Sequence, residues 1–189
     1  MAGCTVVNLY PTAPAIQAEQ TAKQDVQSAG AGSSPAFNIV QNASGLCATI
    51  VPRGVDAGSP AGFDLTLALC REGALSQMFL QNPETQAITS PAVPGRCLTS
   101  VLYDTGGTPR GHVGMAPCAK GAAQGWHFSS DPARWVFADG MVLDASDPFR
   151  GTDGQPSWLG LPLMTWGAPG MDSPNLDFSR RAVAYRGVN

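Results

Sequence analysis

The 189-residue sequence predicts an all-β fold built from three related units, and three observations carry the prediction. Its cysteines recur in phase, a glutamine followed two places later by an aromatic recurs in the same phase, and turn-forming residues are dense throughout. Cys47 lies in Gly-Leu-Cys-Ala-Thr and Cys97, 50 residues later, in Gly-Arg-Cys-Leu-Thr. Cys70 closes Leu-Thr-Leu-Ala-Leu-Cys and Cys118, 48 residues later, closes Val-Gly-Met-Ala-Pro-Cys. Gln77-Met78-Phe79 follows the first pair and Gln124-Gly125-Trp126 the second. With 22 glycines and 16 prolines, about one residue in five is a chain punctuator, which favours many short strands over a few long helices. Self-similarity at a period near 50 residues marks a repeat architecture.

Residues 1–36 are rich in Ala, Gln, Ser and Gly and poor in large apolar side chains. They are expected to form a mobile tail, with at most a short helix over Ala15–Val26. The first basic residue is Lys23 and the apolar stretch at Val6-Val7 is broken by Asn8 and Pro11, so no signal peptide is visible. Met1–Cys4 faintly resembles the end of a lipoprotein leader without the apolar run that precedes one.

The folded domain is expected over residues 37–189, with units at about 37–86, 87–133 and 134–183. Each unit has a strand with a cysteine near its start and a second strand that ends in a cysteine. A hairpin can bring such cysteines within bonding range, which predicts disulfides Cys47–Cys70 and Cys97–Cys118, worth about 3–3.5 kcal/mol each. Two pairs of buried free thiols are the alternative. Cys4 is left over: free, intermolecular or modified. In the third unit Gly140-Met141-Val142-Leu143-Asp144 matches the first strand, with Val142 in the place of the cysteine. Leu161–Trp166 matches the second strand, and Pro174-Asn175-Leu176-Asp177-Phe178 stands where glutamine and aromatic should. One unit cannot bury its apolar face alone, whereas three about a common axis share a core. Phe79, Trp126 and Phe178 are the natural layer of that core, and Trp135 reads as a core or barrel-end residue.

Composition excludes several functions. The net charge is −3 and no basic cluster exceeds Arg180-Arg181, so nucleic acid is not an expected partner. No apolar run approaches 18 residues, so no membrane span is expected. No cysteines have CxxC spacing and only His112 and His127 are present, which argues against a metal site. Neither histidine has an acidic or cysteine partner at motif spacing; surface or strand positions are expected for both. No hydrolase elbow, HExxH or phosphate loop occurs, and no cofactor is implied, so the chain is read as non-enzymatic. Asn42-Ala43-Ser44 is a glycosylation sequon. Cysteine pairing points to an extracellular or secreted setting.

The units resemble those of the ricin B-chain-type (R-type) lectins. The residues that carry the likeness are Cys47, Cys97 and Val142 on the first strands, then Gln77-x-Phe79, Gln124-x-Trp126 and Leu176-x-Phe178. The resemblance covers about 147 residues and implies a β-trefoil of three pseudo-symmetric repeats. Only the second unit keeps glutamine and tryptophan together, and the third lacks both cysteines. In such lectins an Asp after the first-strand motif, an aromatic on the second strand and an Asn before the glutamine hold galactose or N-acetylgalactosamine. A pyranose offers neighbouring hydroxyls to the carboxylate and amide, and a C–H face to the ring.

Carried across, the first unit has Thr49, Ala68 and Ser76 at these positions, and the second has Thr99, Ala116 and Ala123. The third keeps all three groups as Asp144, Trp166 and Asn175, with Leu176 replacing the orienting glutamine. Each has a structural alternative: Asp144 as a turn cap, Trp166 filling the space of the missing disulfide, Asn175 as a turn residue after Pro174. Trp158, within the inserted Asp147–Gly160, is a second platform if the alignment is displaced. The resemblance thus implies binding of glycans or glycoproteins through the third repeat. The alternative is a non-catalytic interaction module with degenerate sites, including the delivery subunit of a toxin with a protein partner. A protease-inhibitor-like role would use Gly106–Gly111 or Asp147–Gly160, and neither loop marks a target.

Overall fold

The computed structural model describes residues 35–53, 62–103, 110–119, 124–137, 139–146, 148–150, 156–167 and 173–185. The expected tail helix, Cys4 and most of Gly106–Gly111 lie outside them. Among the described residues there is no α-helix, and no helix is long and apolar enough to cross a membrane.

The first unit contributes β1 (Phe37–Gln41), β2 (Cys47–Pro52), β3 (Phe63–Ala68) and β4 (Leu80–Gln81). The second contributes β5 (Ile88–Thr89), β6 (Arg96–Tyr103), β7 (Arg110–Pro117) and β8 (Trp126–Ser130). The third begins with β9 (Ala133–Phe137) and β10 (Val142–Ala145). A small ribbon, β11 (Phe149–Arg150) with β12 (Pro156–Ser157), is inserted before β13 (Leu163–Trp166) and β14 (Phe178–Ala182). Each unit builds a hairpin (β2–β3, β6–β7 and β10–β13), all antiparallel.

Neighbouring units join through β4–β5 and β8–β9, and β14 returns to pair with β1 along its whole length, Phe37 facing Ala182 and Gln41 facing Phe178. The ring is thereby closed. The second hairpin strands also meet one another: β3 with β7 at Asp64 and Gly114, β7 with β13 at His112 and Met164, and β3 at Thr66 with Pro162, the residue just before β13. This closed triangle of contacts is the signature of three units around one axis.

The sequence enforces the symmetry locally. Gly45, Gly95 and Gly140 each stand two residues before Cys47, Cys97 and Val142, and all three adopt positive φ (69°, 71° and 87°). A built Cβ would meet nothing within 4 Å at any of them, so backbone conformation and not space selects glycine there. Along the hairpins one side chain in two enters the core, as period-2 alternation requires. Ala48 and Ile50, Leu65 and Leu67, Val113 and Met115, Leu143 and Ala145 all point inward.

Phe79, Trp126 and Phe178 are 0%, 1% and 0% exposed, so the expected aromatic layer is the centre of the core. Trp126 Nε1 donates to the Leu98 carbonyl at 2.9 Å, which satisfies the one polar atom of that layer. Trp135 is fully buried and stacks on Phe37, with ring centroids 5.3 Å apart. Inside the barrel the Ser100 and Thr165 hydroxyls bond each other at 2.6 Å and so satisfy two buried polar groups.

Both predicted disulfides, Cys47–Cys70 and Cys97–Cys118, are present. They close loops with sequence separations of 23 and 21 residues. Replacing Cys97 and Cys118 together by alanine should lower the unfolding free energy by about 3 kcal/mol. Guanidinium denaturation measures it, and an unchanged midpoint would mean that the β6–β7 ladder alone constrains the loop.

Candidate functional site

Hairpin register decides which residues of the three units are equivalent. Cys47 faces Ala68 and Thr49 faces Thr66; Cys97 faces Ala116 and Thr99 faces Gly114. In the third hairpin Val142 faces Trp166 and Asp144 faces Met164. Thr49, Thr99 and Asp144 therefore occupy one position, and Ala68, Ala116 and Trp166 another. These residues alternate with the inward-pointing ones, so they share the hairpin face away from the core. Asp144 and Trp166 are diagonal cross-strand neighbours on that face.

The glutamine that precedes each aromatic has the same duty in the first two units. Gln77 Nε2 donates to Thr49 Oγ1 at 2.8 Å and to the Leu69 carbonyl at 2.9 Å, while its Oε1 accepts from Arg71 N–H at 2.7 Å. Gln124 Nε2 donates to Thr99 Oγ1 at 2.6 Å and to the Pro117 carbonyl at 3.1 Å, and its Oε1 accepts from Ala119 N–H at 2.7 Å. Both glutamines are buried, so each amide locks a threonine, the end of a strand and the following turn into one unit. In the third unit the buried Leu176 stands at this position and offers no such bonds.

Asp144 is 6% exposed. Trp166 is half-buried and carries the Arg110 guanidinium 3.9 Å from its ring centroid, a cation–π contact. Its Nε1 is buried without a hydrogen-bond partner among the described residues. Because Trp166 also faces Val142, it stands both at the platform position and beside the place of the absent disulfide. Asn175 lies in a 3-10 turn, Pro174–Leu176, that packs against β10. Ser173 Oγ accepts from its backbone N–H at 3.3 Å and caps the turn. Ser76 is the corresponding residue of the first unit, and Ala123 lies outside the described residues.

The structure also places Trp158 and the two histidines. Trp158, partly buried, packs against the hydrophobic core beside the inserted ribbon, and the register shows no displacement of the alignment, so the condition under which it would be a second platform is not met. His112 and His127 take strand positions, in β7 and β8, as expected, and His112 gains an acidic partner from another unit: its Nε2 lies 2.7 Å from Asp64 Oδ1, and Arg53 binds the same carboxylate, Nε donating to Oδ2 at 3.1 Å. Spacing along the chain hid this partner because Asp64 and His112 belong to different units and are brought together by β3–β7 pairing. Arg110 was missed for the same reason. It reaches Trp166 from the second unit through the β7–β13 ladder. Among the described residues no group of three or more His, Cys, Asp or Glu could hold a metal ion.

No family model matches the chain, and no curated protein matches it. Solved structures do. The chain is similar to the C-terminal half of an earthworm R-type lectin in complex with GalNAc, with a TM-score of 0.53, 14% identity, and coverage of 79% of this chain and 99% of that one. It is also similar to the β-trefoil lectin of the Vibrio vulnificus hemolysin/cytolysin with N-acetyl-D-lactosamine bound, at TM-score 0.53, 12% identity, and 80% and 97% coverage. The fold is a β-trefoil. A non-toxic homologue of type II RIPs from Momordica charantia, in complex with α-methyl-D-galactoside, superimposes with TM-score 0.53 and 15% identity over 82% of this trefoil and 50% of that chain.

Within the trefoil the glutamine clamp is open to a direct test. Gln124→Leu copies the third unit into the second and removes the partner of the Ala119 N–H and of the Pro117 carbonyl, while the Thr99 hydroxyl keeps its bond to the Cys97 carbonyl at 2.9 Å. The expected loss is about 1 kcal/mol of stability, the net worth of a hydrogen bond whose freed groups can turn to water. Thermal or chemical denaturation measures it; no loss would show that the clamp is dispensable.

Proposed function

We propose that this trefoil is a non-catalytic carbohydrate-binding protein that uses Asp144, Trp166 and Asn175 of its third unit. The reading is carried by the β10–β13 register, which makes a carboxylate and an indole diagonal neighbours on one hairpin face. Such neighbours stand roughly 7–8 Å apart, a span suited to one pyranose ring. The Asp144 carboxylate accepts from adjacent hydroxyls, the Asn175 amide completes the set, and a C–H face of the sugar stacks on the indole opposite Arg110. The other two units, with Thr49 and Ala68 or Thr99 and Ala116, offer neither charge nor ring. Similarity to trefoils solved with GalNAc and with α-methyl-D-galactoside favours a galactose-type ligand. One shallow site of this kind has a Kd near millimolar, about −4 kcal/mol, so attachment to glycoproteins depends on clustering. The two disulfides suit an extracellular or secreted protein.

A second reading, an interaction or toxin-delivery module with lost sugar sites, is favoured by the low exposure of Asp144 and by Leu176 in place of the glutamine. Glycan-array binding separates the two. Galactose-terminated glycans should give a signal that falls at least tenfold in both Asp144→Ala and Trp166→Ala, at unchanged fold by circular dichroism. Undiminished binding in both variants would refute the third-unit site. A sugar-independent melting temperature together with a stoichiometric co-purifying protein would establish the second reading.

A further inference from the structure

We propose that a cavity at the seam between the first unit and β14 is a second ligand site, for an acidic monosaccharide. The cavity measures about 430 Å³ and is lined by the loop after Cys70 (Arg71, Glu72), by Asn38 and Met78, and by the end of β14 (Arg181, Val183). This volume lies at the lower end of the range for small-molecule sites. None of the third-unit residues Asp144, Trp166 and Asn175 lines it, and the inference does not rest on the reading above.

Two of the walls are tied into the fold. Arg71 is tethered by the Cys47–Cys70 disulfide next to it and by its N–H bond to Gln77 Oε1. Arg181 lies opposite Asn38 in the β1–β14 ladder and donates from Nη2 to Asn38 Oδ1 at 3.3 Å. Asn38 in turn donates from Nδ2 to the Gln77 carbonyl at 2.6 Å. What the fold does not require is the guanidinium of Arg71. Ala119 takes the equivalent place in the second unit and makes the same N–H bond to Gln124, also at 2.7 Å. Among the described residues the Arg71 side chain makes no hydrogen bond and no ion pair.

Two guanidinium groups against the single carboxylate of Glu72 leave the cavity with a net positive lining. A planar, forked donor suits a carboxylate, which can accept in bidentate fashion. Glu72 can accept from sugar hydroxyls, and Met78 and Val183 give an apolar wall for ring C–H groups. A uronic acid supplies all three features in one ring, whereas a neutral hexose lacks the anion and a simple carboxylate lacks the ring.

Titration of the full chain with D-glucuronate, D-glucose and acetate, followed by ¹⁵N–¹H correlation spectra, tests the proposal. Glucuronate should shift the amides of Asn38, Arg71 and Arg181 with saturable affinity, glucose should not, and acetate should bind at least tenfold more weakly. Arg71→Ala, which copies the second unit and so leaves the fold intact, should weaken glucuronate at least fivefold. Glu72→Gln removes the opposing charge and should tighten it. Equal binding of glucose or acetate, an unchanged affinity in Arg71→Ala, or shifts confined to the Asp144 and Trp166 region would each overturn the assignment.

Discussion

Burial of Phe79, Trp126 and Phe178 is the constraint on which the whole trefoil depends. Each aromatic belongs to a unit whose short strands present one apolar face, and two- to eight-residue strands have too little area to stand alone. Only when three such faces meet do all three rings leave water, at about 1.5–3 kcal/mol for a large side chain. Everything peripheral follows from holding that layer together: the β1–β14 closure, the triangle of second strands, and the glutamine clamps that tie the first two hairpins to the turns beside the barrel.

The repeat was legible in the sequence because its causes are local and recur. Glycines that need positive φ precede Cys47, Cys97 and Val142 at the same spacing. Cysteines sit where hairpin ends meet, and the aromatics keep phase even where Leu176 replaces the glutamine. A unit read by itself therefore predicts its own hairpin, disulfide and core residue. The same logic aligned Asp144 with Thr49 and Thr99, and Trp166 with Ala68 and Ala116, which the ladder register reproduces. Contacts between units left no such trace. Arg110 over Trp166, and Asp64 between Arg53 and His112, depend on which strands neighbour each other across the axis, and no spacing within one unit encodes that. The packing of Trp158 against the core was not legible for a related reason: an insertion has no counterpart in the other units against which its direction could be read.

Symmetry and chemistry pull against each other in this molecule. Where a position serves the fold, the units agree, as at the clamps on Thr49 and Thr99. Where they disagree, the backbone often stays the same while the side chain changes, as at Arg71 and Ala119 or at Thr99 and Asp144. A scaffold repeated three times thus offers three equivalent places at which only one copy needs to acquire a charged or aromatic group. The cost is modest, since the other two copies continue to supply the core.

The pairing of β1 with β14 has a consequence for how the polypeptide could be rewired. Its register brings Phe37 opposite Ala182, and Val183 N–H bonds the Ala36 carbonyl, so entry and exit of the folded body are hydrogen-bonded neighbours. A closed ring has no privileged origin. A short linker across that junction, with a new opening at the exposed turn around Asn82–Thr85 between β4 and β5, would yield a circular permutant that begins with the second unit and retains every ladder of the barrel.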